Sequence, residues 1–188
     1  MNLPNKLTVA RVVLVPFFIF FLLTDILPGS GVWALIVFAA ASITDALDGK
    51  IARKYNLVTA FGKFLDPLAD KVLVISALVC FVDLGLCGAV PVLIIIAREF
   101  MVSGLRLVTA GEGVVVPANI WGKLKTAFTM GTIVIMLFIA ALFGKDPSNY
   151  GAFAAILEQL LIWASAVLTV ISGWTYLQAY KGYINTDK

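Results

Sequence analysis

The chain contains no histidine, and only 13% of its 188 residues are charged. Soluble globular domains carry about 25% charged residues and about 45–50% apolar ones, whereas 61% of this chain is hydrophobic. The shortage of charge excludes an ordinary soluble domain and indicates an integral membrane protein. Without imidazole, any proton transfer near neutral pH has to use a carboxylate, a lysine or a tyrosine.

Cysteine is also scarce, and the only two, Cys80 and Cys87, lie in or beside apolar runs. We interpret them as small core hydrophobes rather than as metal ligands or a disulfide pair. The alternating segments of about ten residues that are typical of membrane β-barrels are absent, because the apolar runs are long and continuous. The sequence therefore predicts an all-α integral membrane protein.

Six apolar segments are long enough to cross a membrane as helices. The first follows Lys6 and Arg11 and could imitate a leader, but we expect it to be a span with Asn5 as its N-cap. The remaining residues are too few for a soluble domain, so residues 1–188 are predicted to form one transmembrane domain. The predicted spans are 7–27, 32–54, 60–83, 89–108, 120–143 and 152–180.

Six spans would place both termini on the same side of the membrane. All of the 14 lysines and arginines fall on that side except Lys145, which falls opposite, and Arg98, which lies within the fourth span. Positively charged residues concentrate on the cytoplasmic side of membrane proteins. The charge distribution therefore predicts that the termini lie at the cytoplasmic face of the cell membrane.

Four of the 11 acidic residues lie close together at that face, where the second and third spans meet. Asp45 and Asp48 are spaced i, i+3, and Asp66 and Asp70 are spaced i, i+4, so each pair shares a helix face. Both pairs lie about 9 Å from the connecting loop. Four carboxylates at one depth repel one another unless divalent cations bind, and oxygen ligands suit magnesium, manganese or calcium.

Small and basic residues beside these aspartates favour a phosphate-bearing ligand. Gly49 and Gly62 leave room for a bulky group near the backbone, and Ala52 is small as well. Arg53 can pair bidentately with phosphate oxygens. Two alternatives exist, a helix hairpin with solvent-facing carboxylates and a cation transporter. A transporter would need carboxylates spread through the membrane, and here they cluster at one end.

The same stretch matches a known motif. The motif of the CDP-alcohol phosphotransferase family specifies eight positions, and the chain resembles it at all of them: Asp45, Asp48, Gly49, Ala52, Arg53, Gly62, Asp66 and Asp70. The resemblance implies six transmembrane helices in that family's fold, a homodimer surrounded by membrane lipids, and cleavage of CDP-diacylglycerol with release of CMP. No nucleic-acid partner is expected.

The resemblance also implies a role for each matching residue. Two ions, Mg²⁺ or Mn²⁺, would be bound, the first by Asp45, Asp48 and Asp66. Asp45, Asp66 and Asp70 would surround the second ion. Asp70 would also be the catalytic base that removes the proton of the acceptor hydroxyl. The implied positions around CDP-diacylglycerol are Asn5, Thr8, Gly49, Ala52, Arg53, Thr59 and Gly62.

A second group of charged residues, Arg98, Arg106, Lys123 and Lys125, is predicted to bind the acceptor. Four cations suit an acceptor that carries its own phosphate, which favours glycerol 3-phosphate over neutral alcohols such as serine. Inositol phosphate and serine are the alternative acceptors. Arg106 and the two lysines could instead be anchors that reach the lipid headgroups, and Arg98 could form a structural ion pair with the adjacent Glu99.

Overall fold

The computed structural model describes residues 3–54, 60–111 and 119–180, with side chains described for 5–45, 68–109 and 119–180. All regular structure in these ranges is helical, which confirms the all-α prediction for them. A short 3₁₀ turn at Pro147–Asn149 joins the last two helices. The helices are α1 (Leu3–Leu23), α2 (Ser30–Lys54), α3 (Ala60–Asp83), α4 (Ala89–Gly111), α5 (Ile120–Phe143) and α6 (Ala152–Tyr180).

The predicted bounds agree with the structure for α3, α5 and α6, and α1 shows the largest difference. It begins and ends four residues earlier than predicted, so Asn5 lies inside the helix and the N-cap prediction for it is wrong. Pro4 is compatible with this early start, because proline is tolerated in the first turn of a helix. α4 continues to Gly111, three residues beyond its predicted end.

Three helices in the described part of the chain are long and apolar enough to cross a membrane. They are Asn5–Leu23 within α1, Ile120–Phe143 and Ala152–Tyr180. The Ser30–Asp45 part of α2 is apolar too, but shorter. These segments and the many exposed apolar side chains identify a membrane protein.

The chain divides into two compact units, and the first contains residues 1–86 and 133–155. Within it α1 packs against both α2 and α3. Val15, Phe18 and Leu22 recur at helical spacing on the buried face of α1. The ring of Phe18 lies 5.5 Å from that of Phe38 on α2. Because Asp45 continues the buried stripe of α2 through Phe38, the helix carries this carboxylate toward α1.

Lys145 connects the loop after α5 to the end of α1, also within the first unit. Its ammonium group donates to the carbonyl oxygens of Phe21 at 3.2 Å and Thr24 at 2.6 Å. It also pairs with Asp25 at 2.7 Å. The last carbonyl groups of a helix have no partner within it, so Lys145 satisfies the C-terminal end of α1. Lys145 thereby stabilises the end of α1 at Leu23, four residues before the predicted end at Leu27.

Replacing Lys145 with methionine is expected to lower the free energy of unfolding by about 1–3 kcal/mol, because hydrogen bonds from a charged donor are lost. Hydrogen bonds from Lys145 and then Ser30 lower the pKa of Asp25. The carboxylate's contribution is therefore present above its ordinary pKa of 3.8 and is lost as the pH falls through the lowered value. Thermal unfolding of the protein in detergent at neutral and acidic pH measures both effects.

The exposed Lys6 of α1 provides the matched control for this variant. Lys6→Met removes the same charge without removing a helix-capping contact, and it should leave the unfolding temperature nearly unchanged. If the Lys145 variant behaved like the Lys6 variant at neutral pH, the capping role of Lys145 would be wrong. A difference between wild type and Lys145→Met that grew on acidification would contradict the pairing with Asp25.

The second unit contains residues 87–132 and 156–188. Its α6 has a buried face that is unusually polar for an apolar helix. Ser165, Thr169 and Ser172 recur there at spacings of three and four residues, and Gly173 follows. A methyl group on Gly173 would lie 3.1 Å from the Cγ of Arg98, so the glycine leaves room for that arginine.

Both cysteines agree with the interpretation of their sequence context. Cys80 in the first unit and Cys87 in the second are buried free thiols. They contribute to the packing of their units as small apolar side chains.

Candidate active site and cationic cluster

The four predicted metal-binding aspartates all lie on helices. Asp45 and Asp48 lie in α2, and Asp66 and Asp70 lie in α3. Since both pairs are within continuous helices, each pair shares a face as its spacing predicts. The two helices contact each other within the first unit. Helical backbone thus places both pairs of positions on neighbouring elements.

Asp45 forms an ion pair with Arg11 of α1, with 2.7 Å between the carboxylate Oδ1 and Nη1. The arginine side chain is fully buried, whereas 44% of the aspartate side chain is exposed. A buried guanidinium needs a compensating negative charge. Arg11 therefore holds the Asp45 carboxylate while leaving nearly half of it accessible.

The predicted CDP-diacylglycerol residues of α1 lie on the same buried stripe as Arg11. Asn5 and Thr8 are 7% and 0% exposed, and they precede Arg11 at three-residue spacing. Of the remaining implied positions, Thr59 lies outside the described residues. Gly49, Ala52, Arg53 and Gly62 lie in helical segments whose side chains are likewise not described.

The donor set fits divalent metal ions by its chemistry. Asp45 and Asp70 offer hard carboxylate oxygens, of the kind that magnesium and manganese prefer. Among the described side chains no group of three or more candidate ligands is found, but the side chains of Asp48 and Asp66 are outside that set. The partly exposed Asp45 carboxylate is compatible with a metal ligand.

The four predicted acceptor-binding residues, Arg98, Arg106, Lys123 and Lys125, all lie in the second unit, and we call them the cationic cluster. They have more interaction partners than the sequence predicts. Arg98 and Lys125 both pair with Glu99, Arg98 at 3.1 Å. Arg98 also donates to the hydroxyl of Ser172 at 2.6 Å. The ion pair between Arg98 and Glu99 that the sequence left as an alternative is therefore present. Two cations share one carboxylate, so these three residues keep a net positive charge.

Lys125 does not act as a headgroup anchor, because it is 3% exposed and paired with Glu99. Arg106 and Lys123 differ from it, since both are exposed. Arg106 donates from Nη2 to the hydroxyl of Tyr176 at 2.9 Å. The exposed pair can therefore meet an anion, whereas Lys125 supports the cluster from inside.

The sequence analysis did not identify Glu99 as the partner that Arg98 and Lys125 share. Nor did it identify Tyr176, whose ring both arginines contact. The guanidinium carbons of Arg98 and Arg106 lie 5.4 and 5.5 Å from the centre of the Tyr176 ring. A signal was available in the sequence, because Ser165, Thr169, Ser172 and Tyr176 mark a polar stripe along an apolar helix. That stripe predicts a face turned toward polar partners.

Comparison with known proteins agrees with the motif. Residues 1–171 match the family model described as CDP-alcohol phosphatidyltransferase. The chain belongs to this family, whose members use divalent metal ions.

Individual relatives are similar over nearly the whole chain. A Bacillus subtilis protein named CDP-diacylglycerol–glycerol-3-phosphate 3-phosphatidyltransferase is 44% identical over 186 residues, covering 93% of each chain. A Rickettsia bellii protein of the same name is 40% identical, covering 97% of each chain. A Haemophilus influenzae protein, also of that name, is 39% identical and covers 96% of this chain and 94% of its own length.

Proposed function

We propose that the protein transfers a phosphatidyl group from CDP-diacylglycerol to glycerol 3-phosphate, forming phosphatidylglycerophosphate and CMP in phospholipid biosynthesis. The observation that carries this proposal is the name shared by relatives that are 39–44% identical over more than nine-tenths of the chain. The complete eight-position motif and the cationic cluster support it.

The reaction exchanges one phosphorus–oxygen bond for another. The acceptor hydroxyl oxygen bonds to the phosphatidyl phosphorus, the bond to CMP breaks, and CMP leaves with the bonding electron pair. Asp70 accepts the hydroxyl proton. Arg53 and the residues of α1 hold the nucleotide-linked lipid, with Thr59 beside it.

Asp45, Asp48, Asp66 and Asp70 would hold two ions, magnesium or manganese. When bound, divalent ions supply positive charge that stabilises the pyrophosphate oxygens and the departing CMP. Arg11 contributes before that, since its ion pair fixes the direction of the Asp45 carboxylate. A ligand that is already oriented loses less conformational freedom when a cation binds.

The cationic cluster is the proposed site for the acceptor's phosphate. Arg106 and Lys123 are exposed and contact it directly, while the partly buried Arg98 and the buried Lys125 add positive charge. A guanidinium group can donate two parallel hydrogen bonds to a phosphate. Neutral acceptors such as serine would leave the excess positive charge of the cluster uncompensated.

The finer membrane arrangement also belongs to the proposal. Six transmembrane helices would place both termini and the aspartates at the cytoplasmic face of the cell membrane. The bias of lysine and arginine toward that side supports this orientation. We further propose one catalytic domain over residues 1–188, and a homodimer in the membrane.

An acceptor panel tests the function. Purified protein in detergent micelles receives labelled CDP-diacylglycerol, magnesium or manganese, and either glycerol 3-phosphate, serine, inositol or inositol phosphate. Release of CMP should require the metal and should be at least about 100-fold faster with glycerol 3-phosphate than with serine or inositol, because a site built for a charged group rejects acceptors lacking it. Inositol phosphate carries that group, so it tests whether the site also selects the rest of the acceptor.

Each other result of the panel has a definite meaning. Faster CMP release with serine or inositol phosphate would show that this compound, rather than glycerol 3-phosphate, is the acceptor, while the phosphatidyl-transfer reaction would stand. Absence of metal-dependent CMP release, together with cation flux in vesicles, would exclude the transferase and favour the transporter.

A further inference from the structure

Tyr176 lies at the centre of the cationic cluster, although it carries no charge. It is on α6, it is 2% exposed, and it packs with Val102 and Leu105 of α4. A buried tyrosine normally finds a partner for its hydroxyl group. Here the partners belong to the elements that carry the proposed acceptor-binding residues.

The hydroxyl oxygen of Tyr176 accepts two hydrogen bonds. One comes from Nη2 of Arg106 at 2.9 Å, and the other from the backbone N–H of Asn119 at 3.0 Å. Asn119 immediately precedes α5, the helix that carries Lys123 and Lys125. One hydroxyl therefore ties the arginine of α4 to the start of α5.

The aromatic ring of Tyr176 has close neighbours, as its hydroxyl group does. A methyl group on Gly122 would lie 3.2 Å from the hydroxyl oxygen and 3.3 Å from Cε2, so α5 passes directly against the ring. Arg98 and Arg106 both place their guanidinium groups within the range of a cation–π contact. The ring thus provides a surface of partial negative charge that two mutually repelling cations share.

The choice of a neutral partner preserves the charge of Arg106. Arg98 and Lys125 share the Glu99 carboxylate. Arg106, by contrast, makes no ion pair with any of the side chains that the structure describes. A carboxylate at position 176 would orient Arg106 equally well but would neutralise it. A phenol orients the guanidinium and leaves its charge for an anion.

We propose that Tyr176 is a positioning residue that directs Arg106 toward the phosphate of the acceptor. The proposal rests on the proposed function, because it takes Arg106 as a ligand of that phosphate. Tyr176 acts through Arg106 and through the start of α5, and it does not contact the reacting atoms. Loss of its hydroxyl should therefore weaken acceptor binding and spare the lipid substrate.

Steady-state kinetics of Tyr176→Phe, Arg106→Ala and the double variant test this. Tyr176→Phe should raise the KM for glycerol 3-phosphate about tenfold, the effect of losing one hydrogen bond to a charged group. Arg106→Ala should raise it about 100-fold. The KM for CDP-diacylglycerol should change less than about twofold in each variant. In the Arg106→Ala background, Tyr176→Phe should raise the acceptor KM much less than in the wild type, because only the hydrogen bond from Asn119 remains to be lost.

Tyr180→Phe is the matched control, because it removes a tyrosine hydroxyl one turn further along α6, from a residue that packs against Val102, Leu105 and Tyr176. It should leave both KM values unchanged. Unfolding temperatures of all variants show whether each one folds.

Three results would overturn the proposal. One is an unchanged acceptor KM in Tyr176→Phe while Arg106→Ala raises it, which would leave the proposed function intact. The second is an equal rise for both substrates, and the third is an additive effect in the double variant. If wild-type protein released no CMP with glycerol 3-phosphate, the proposed function itself would fail.

Discussion

Asp70→Asn is expected to reduce turnover by about 10²–10⁴-fold, the range that general acid–base catalysis supplies. Asparagine has nearly the same shape as aspartate and keeps one carbonyl oxygen, but its amide cannot accept the proton of the acceptor hydroxyl. Asp70 is partly buried on α3, so the substitution should leave the helix intact. Binding of CDP-diacylglycerol, measured separately with the purified variant, should be largely preserved.

Two comparisons separate the proposed roles of Asp70 as base and as metal ligand. If the variant only bound metal more weakly, raising the magnesium concentration would restore turnover, whereas loss of the base is not repaired by metal. Asp83→Asn makes the same chemical change at an exposed position at the end of α3, and it should keep full activity. Near-normal turnover in Asp70→Asn would remove Asp70 as the base.

The helices were predictable because their signals are local. Long apolar runs bounded by glycine, proline and charge predict where α3, α5 and α6 lie in the chain. The end of α1 was not predictable in this way. Lys145 satisfies the carbonyl of Phe21 from 124 positions away, and no pattern within α1 reports that contact.

In the candidate site, too, local features were predictable from the sequence and contacts between distant residues were not. The aspartate positions follow from spacing alone, since helical periodicity decides which residues share a face. The partners of charged residues depend on how helices pack. From the sequence, Arg11 was only one of the many cations on the predicted cytoplasmic side. The structure shows that it pairs with Asp45. Tyr176 was not singled out in the sequence, and only the structure shows that Arg106 and Asn119 donate to its hydroxyl.

The structure also shows that the four residues of the cationic cluster differ in burial, which the sequence did not indicate. Lys125 is buried and Arg98 is mostly buried beside Glu99, while Arg106 and Lys123 are exposed. Buried charges are tolerated when paired and costly when a partner is removed. The first two residues are therefore expected to influence stability strongly, and the second two to influence acceptor binding.

Glu99→Ala is accordingly expected to lower the free energy of unfolding by about 3–5 kcal/mol, the cost of removing one partner from a buried ion pair. Lys125, which is 3% exposed, would lose the carboxylate that it pairs with. Arg98 would lose the same partner but keep Ser172. The unfolding temperature of the purified protein in detergent measures the loss, and Glu99→Gln, which keeps the size and one acceptor oxygen, should lose less.

The double variant Glu99→Gln with Lys125→Met shows whether the pairing itself causes the loss. Removing both charges leaves neither one buried alone, so the double variant should be more stable than Glu99→Ala and more stable than the sum of its single changes predicts. Strictly additive losses would contradict direct coupling between Glu99 and Lys125. The cluster has more cations than anions, so Glu99 offsets the repulsion between Arg98 and Lys125. Comparing the double variant with its two single variants measures the free energy of this stabilisation.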